Sequence, residues 1–185
     1  MKIFLSMAIM FLSVSSAAAI EVEGVDVPDS VIVAGKTLPL NGVGVRTKFF
    51  FDIYVGALYL PEKASTAAQA IGTTNPKRLT MTFLYDEVSR DKLVDGWNEG
   101  FEKNQSREAM KTLKGRLDQF NTMFGDGHRG DQFAFDFLED GSTVVTLKAE
   151  RAGVIEGTDF QRALLKVWLG DRPADKALKS AMLKE

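Results

Sequence analysis

Between residues 22 and 33 valines recur among polar and turn residues: Val22, Val25, Val27, Val31 and Val33 are punctuated by Pro28-Asp29-Ser30 and followed by Ala34-Gly35-Lys36. That pattern predicts short strands joined by tight turns. The run from Phe49 to Leu60 differs, because positions of both parities are mostly apolar and Pro61 ends it. It predicts a strand covered on both faces and central in its sheet. An alanine-rich stretch from Ala64 to Gly72 predicts a short helix. Beyond it, Leu79 to Tyr85 keeps a period-two alternation that predicts another strand, with Thr80 and Thr82 on one side.

The second half of the chain changes period. Ser89 is a good N-cap, and Leu93, Val94, Trp97 and Phe101 lie on one side of a helix running to about Asn104. Ser106 caps a second helix, with Met110, Leu113, Leu117, Phe120 and Phe124 at steps of three and four and Gly125-Asp126-Gly127 closing it. Phe133, Phe135 and Phe137 then alternate with Gln132, Ala134 and Asp136. Asp140-Gly141 turns the chain into a strand from Thr143 to Arg151, so a hairpin with one buried face is predicted. Thr158-Asp-Phe-Gln161 matches a capping box opening a helix that carries Phe160, Ala163, Leu164, Val167 and Trp168 and stops at Gly170. Pro173 can start a final helix with Ala174, Ala177, Leu178, Ala181 and Met182 inward. Strands, two helices, a hairpin and two more helices predict an α+β domain with a mainly antiparallel sheet covered by helices.

The N-terminus asks for a separate reading. Met1-Lys2, an apolar run from Ile3 to Val14 and Ser15-Ser16-Ala17-Ala18-Ala19 have the three parts of a secretory signal. Residues 1–19 are expected to be a leader and residues 20–185 one domain, periplasmic or secreted, with no integral membrane segment once the leader is removed. The chain contains no cysteine, which excludes disulfides, thiol chemistry and cysteine-ligated metal; with 45% hydrophobic residues, stability rests on apolar packing. A formal net charge of −2 supplies no broad positive field for nucleic acid.

Candidate chemistry concentrates where Leu40-Asn-Gly-Val-Gly-Val-Arg46 runs into the apolar strand, which reads as a strand pair with a pocket beside it. Arg46 is either a ligand-binding cation or a solvated strand-end residue paired with Asp52, whose carboxylate in so apolar a strand calls for a cation or several donors. Tyr54, Tyr59 and Tyr85 are core residues with one hydrogen-bonded tip, or face a cavity. Thr80 and Thr82 place hydroxyls in a cleft or are exposed β-formers. His128, the sole histidine, sits in the Gly125–Gly130 loop; it is a solvated loop residue or an axial ligand to haem. Paired carboxylates at glycosidase geometry, a Walker loop and a Rossmann fingerprint are not found, and no metal site is expected.

The Gly42-Val-Gly-Val-Arg46 segment, the Phe51-Asp-Ile-Tyr-Val-Gly-Ala-Leu-Tyr-Leu60 strand, the helical pair, and a closing Phe160–Lys179 stretch containing Ala163-Leu-Leu-Lys-Val-Trp-Leu-Gly170, in this order, resemble the chalcone isomerase-like superfamily, in particular its exported bacterial branch. The resemblance implies an open-faced β-sandwich with a large sheet backed by helices and a ligand cleft between the two. The superfamily includes plant flavonoid-forming isomerases, non-catalytic fatty-acid-binding proteins and members that bind haem. Of the three groups used by the plant enzymes, Arg46 matches the arginine, whereas the strand threonine falls at Tyr54 and the tyrosine ahead of the first long helix falls near Ser89. The resemblance therefore implies that chalcone cyclisation is not retained. The fatty-acid-binding branch grips a carboxylate with an arginine and a tyrosine, and Arg46 with Tyr54 supplies those types. The resulting expectation is non-catalytic binding of a fatty acid or similar small apolar carboxylate, without a cofactor, by Arg46 and Tyr54 with Thr80 and Thr82 behind them. The alternatives are an intramolecular lyase or isomerase acting on an unsaturated carbonyl compound, and a haem protein. One condition attaches: an unbroken strand would separate Arg46 from Tyr54 by about 26 Å, so the chain must reverse near Thr47-Lys48.

Overall fold

A computed structural model describes residues 19–184; the expected leader lies outside the described residues except for Ala19. In chain order the elements are β1 (Ala19–Val22), β2 (Val25–Pro28), β3 (Ser30–Val33), β4 (Lys36–Lys48), β5 (Phe51–Tyr59), α1 (Ala67–Gly72), β6 (Lys77–Phe83), β7 (Glu87–Val88), α2 (Arg90–Asn104), α3 (Arg107–Asn121), β8 (Gly127–His128), β9 (Gln132–Phe137), β10 (Thr143–Leu147), β11 (Glu150–Ile155), α4 (Thr158–Leu169) and α5 (Lys176–Leu183). Seven strands form one curled antiparallel sheet in the order β11-β10-β9-β6-β5-β4-β3. The α+β class and the helix-backed sheet are as the sequence predicts. Among the described residues no helix is long and apolar enough to cross a membrane.

Two apolar layers form because β5 is apolar in both parities, so that it contributes to the packing on each face of the sheet. On the helix side, Tyr54, Leu58, Leu79, Met81, Phe83, Phe133 and Phe135 pack against Trp97, Phe101, Phe120, Phe160 and Trp168 of the helices. On the other side, Val55, Ala57, Tyr59 and Leu38 pack beneath Val22, Val25 and Val27 of the β1–β2 hairpin. The central placement of β5 follows directly from this two-sided pattern.

Several boundaries differ from the sequence expectation. The strand expected from Thr143 to Arg151 is two strands, because Lys148 and Ala149 take positive φ (52° and 66°) and reverse the chain. The expected Thr158 capping box is not formed: Gly157 caps α4, and the Gln161 amide donates instead to the carbonyls of Leu138 and Ser142. A capping box does open α1, between Thr66 and Gln69. The last helix starts after Pro173, at an Asp175 cap whose carboxylate accepts from the Leu178 and Thr47 amides. Ser89 and Ser106 cap α2 and α3 as the sequence indicates.

The glycine-spaced strand has an unexpected role. Asn41 forms a bulge in β4, and its buried amide donates to the carbonyls of Ala64 and Met182. The bulge turns Gly42 and Gly44 toward the helix side, where α5 lies directly on them. A Cβ at Gly42 would collide with the backbone of Ala181 and Met182; one at Gly44 would come within 2.6 Å of the Ala181 Cβ. Gly56 of β5 meets Met182 in the same way. These glycines form a seat for a helix, and the space beside the strand pair lies farther along it, at Arg46 and Tyr54.

Candidate functional site

The chain reverses at Phe49-Phe50, two residues beyond the expected place, and pairs Arg46 directly with Tyr54. A bulge follows at once, with Ile53 as the extra residue; its carbonyl accepts from the Leu84 and Tyr85 amides. The condition on which the site depended is therefore met, and the two side chains are neighbours. The Arg46 guanidinium carbon lies 5.6 Å from the centroid of the Tyr54 ring, within cation–π range.

Tyr54 is 1% exposed. Its hydroxyl oxygen accepts a 2.8 Å hydrogen bond from the Trp168 indole N–H, which leaves its own hydrogen to donate. Burial pushes the phenol above its ordinary pKa, with Arg46 and the Trp168 hydrogen bond opposing. The group is accordingly a neutral donor at any ordinary pH.

Both residues line a cavity of about 380 Å³. Its floor is the start of β5 and the end of β6, with Ile53, Met81 and Phe83; its wall is α2, with Leu93, Gly96, Trp97 and Gly100; its rim combines the β4–β5 turn, Tyr85 and the Arg172-Pro173-Ala174 link between α4 and α5. The cavity exists because α5 begins only at its Asp175 cap, beyond Arg46, and because α2 carries Gly96 where it faces the space. An added Cβ there would meet nothing within 4 Å, although glycine in a helix interior costs about 1 kcal/mol relative to alanine. Gly100, one turn on, packs instead against Val167. Trp97 forms the back of the site, packed against Phe124, Phe135 and Trp168, and its indole N–H has no partner among the described residues.

Around the rim stand Arg46, Lys48, Lys92, Lys103 and Arg172 against Glu87, Asp95 and Glu99. Glu99 pairs with Lys103 at 2.5 Å, which lowers the Glu99 pKa, aided by Lys48 and Arg46. Among the described residues no carboxylate lies within ion-pair distance of Arg46. The expected Asp52 partner is exposed beside the turn and accepts from the Thr47 hydroxyl at 2.9 Å, so the anticipated burial of that carboxylate is corrected.

The remaining sequence candidates lie elsewhere. Thr80 and Thr82 are on the opposite face of β6 from Met81 and Phe83, so the sheet itself separates them from the cavity, which corrects their place behind the ligand. Thr80 is buried, and the Thr82 hydroxyl accepts from Gln132. Their strand alternates as read, but the larger Leu79, Met81 and Phe83 take the helix side. His128 is an exposed residue of β8 facing Glu87 and Asp131, outside the cavity lining. Ser89 is occupied as the cap of α2 and also lies outside the cavity. Reading the sequence overlooked Trp97, Lys103 and Arg172 as lining residues; the one signal that could have found the wall was the glycine pair Gly96 and Gly100 inside an otherwise regular helix.

No curated protein matches the sequence significantly. Among solved structures, a fatty-acid binding protein from Arabidopsis thaliana is similar, with a TM-score of 0.67 at 13% sequence identity over 91% of this chain and 96% of that one. At such identity the likeness concerns the fold: a curled sheet backed by helices, as here. The sequence profile described as chalcone isomerase-like matches residues 19–184, which agrees with the strand, helix and hairpin order set out above, and the chain belongs to the chalcone isomerase-like family.

Proposed function

We propose that this protein binds a small apolar carboxylate, a fatty acid or a compound like it, without chemical conversion, and does so after export to the periplasm or beyond. One observation carries the reading: Arg46, with no carboxylate within ion-pair distance among the described residues, is stacked on the buried Tyr54 ring where both line a cavity that has an apolar floor and a charged rim. The guanidinium offers two charge-assisted donors and the Tyr54 hydroxyl a third, while Ile53, Met81, Phe83 and Leu93 receive the hydrocarbon. A cavity of about 380 Å³ falls at the lower end of small-molecule sites, which run from about 300 to 1,000 Å³. The fold likeness to a fatty-acid binding protein supports the same ligand class, and the leader-like sequence of residues 1–19 supports export.

Proton transfer is the weaker use of the site. Burial holds Tyr54 in its neutral form, and Trp168 occupies its oxygen, so it lacks the character of a general base. The binding reading is tested by calorimetric titration of palmitate into the wild type and Arg46→Ala. Affinity is expected to fall about tenfold or more in the variant, the size of one charge-assisted hydrogen bond, with the melting transition preserved. Equal affinity in a folded Arg46→Ala protein contradicts the assignment.

A further inference from the structure

The β4–β5 turn exposes three consecutive phenylalanines: Phe49 is 84%, Phe50 96% and Phe51 54% accessible. Phe51 rests edge-on against Tyr85 with ring centres 5.4 Å apart, and Phe49 and Phe51 stand at the rim of the cavity, whereas Phe50 touches neither core nor cavity. Phe49 adopts φ +59°, the left-handed conformation that hairpin turns normally give to Gly, Asn or Asp because a bulky side chain is strained there. Turn geometry thus disfavours Phe49, and core packing uses neither Phe49 nor Phe50. The contact that uses them lies outside the chain.

Charge identifies that contact. The protein as a whole carries −2, yet five cations against three carboxylates line the cavity below this turn, and with the Glu99–Lys103 pair set aside four cations still face two carboxylates. Lys48 directly precedes the phenylalanines; Asp52, the acid directly after them, is hydrogen-bonded to Thr47. A second copy meeting tip to tip would oppose like charges. An apolar point flanked by basic side chains suits the boundary between headgroups and acyl chains of an acidic membrane, where rings enter and cations meet phosphates.

We infer that the β4–β5 turn docks this protein on the surface of an anionic phospholipid bilayer, with Phe49 and Phe50 entering the interface and the cavity mouth turned toward it. The inference goes beyond ligand binding and does not require it. Where both hold, an apolar ligand moves between bilayer and cavity without crossing open water.

The test is co-sedimentation of the leader-free chain with vesicles of phosphatidylglycerol and phosphatidylcholine in equal parts, and with phosphatidylcholine alone. Wild type is expected to partition onto the mixed vesicles, and less so as salt is raised. Partitioning is expected to fall about tenfold in Phe50→Ser, the size of one phenylalanine withdrawn from the interface, and to fall also in Lys48→Glu. Because Trp97 and Trp168 are both buried, Phe50→Trp provides a reporter whose emission shifts to the blue on mixed vesicles. Absence of wild-type partitioning, partitioning equal in Phe50→Ser, or a dimer in sedimentation velocity that Phe50→Ser dissolves would each overturn the inference. Docking by a chain that binds no palmitate in vesicle-free buffer would sink the ligand reading and leave this one standing.

Discussion

The inner face of the β4–β5 pair has two halves with opposite fates. At one end Gly42, Gly44 and Gly56 present bare backbone, and α5 lies on them with Leu178, Ala181 and Met182 in contact. At the other end Arg46 and Tyr54 present large side chains, α5 has not yet begun, and a cavity remains under α2. Both halves belong to one antiparallel ladder, so the backbone alone does not decide which part of a sheet becomes core and which becomes a site. Side-chain size along alternate positions decides it, together with Asp175, whose carboxylate both caps α5 and accepts the Thr47 amide, fixing where the helix starts.

Closing off that difference from the sealed side is expected to have the largest effect. In Gly42→Val the new side chain meets the backbone of Ala181 and Met182, which cannot swing aside as a side-chain tip could. The helix must lift, and urea denaturation is expected to show a loss of about 3 kcal/mol or more, at the upper end for overpacking. A change below about 1 kcal/mol would mean that α5 is not seated as described.

Next in size is a perturbation at the open half. Tyr54→Phe removes the acceptor of the buried Trp168 N–H, and a loss of about 1 to 3 kcal/mol is expected. The same residue shapes the alkaline limb of stability. Burial raises the Tyr54 pKa, and burial also pushes Tyr59 up to about 12. Above pH 10 the unfolded phenols therefore ionise while the folded ones hold their protons, and the folded state loses stability as pH rises, by up to about 1.4 kcal/mol per pH unit for each group. Below pH 10 this contribution is fully present and flat. Melting curves between pH 9 and 12 are expected to fall less steeply in Tyr54→Phe than in wild type; parallel curves would show that Tyr54 is not shielded in the native state.

The smallest effect sharpens the contrast from the helix side. Gly96→Ala is expected to stabilise the protein by about 1 kcal/mol, because α2 gains helix propensity and the added methyl has open space. Gly96→Phe is expected to leave the fold intact while abolishing palmitate binding, by filling the cavity. Unchanged binding in the folded Gly96→Phe protein would place the ligand elsewhere.

Much of this arrangement was legible in the sequence where a local rule and a long-range one agreed. Ser89 followed by Leu93, Trp97 and Phe101 gave the start and inner face of α2, and the apolar character of β5 in both parities placed it inside the sheet. Arg46 and Tyr54 were legible as a pair through the family resemblance, which in turn required the chain to reverse between them. What escaped depends on distant partners. That the glycines of β4 seat a helix was not legible, because that helix lies more than 130 residues later in the chain. Thr80 and Thr82 were correctly placed on one side of β6, but alternation does not say which side faces the helices. The turn at Lys148-Ala149 was hidden because neither residue carries turn chemistry; both take left-handed backbone under the constraint of the β10–β11 pairing. Gln161 matched a capping-box position, yet its amide donates instead to the carbonyls of Leu138 and Ser142.

The most direct test of the central claim, that Arg46 and Tyr54 form a carboxylate site in the open half of the strand pair, is a calorimetric comparison of palmitate with the alcohol of the same chain length. The hydrocarbon contribution is the same for both, so the difference isolates the head group. Wild type is expected to favour the acid by about tenfold or more, and Arg46→Ala to bring the two affinities together. Equal affinity of wild type for acid and alcohol would contradict the account.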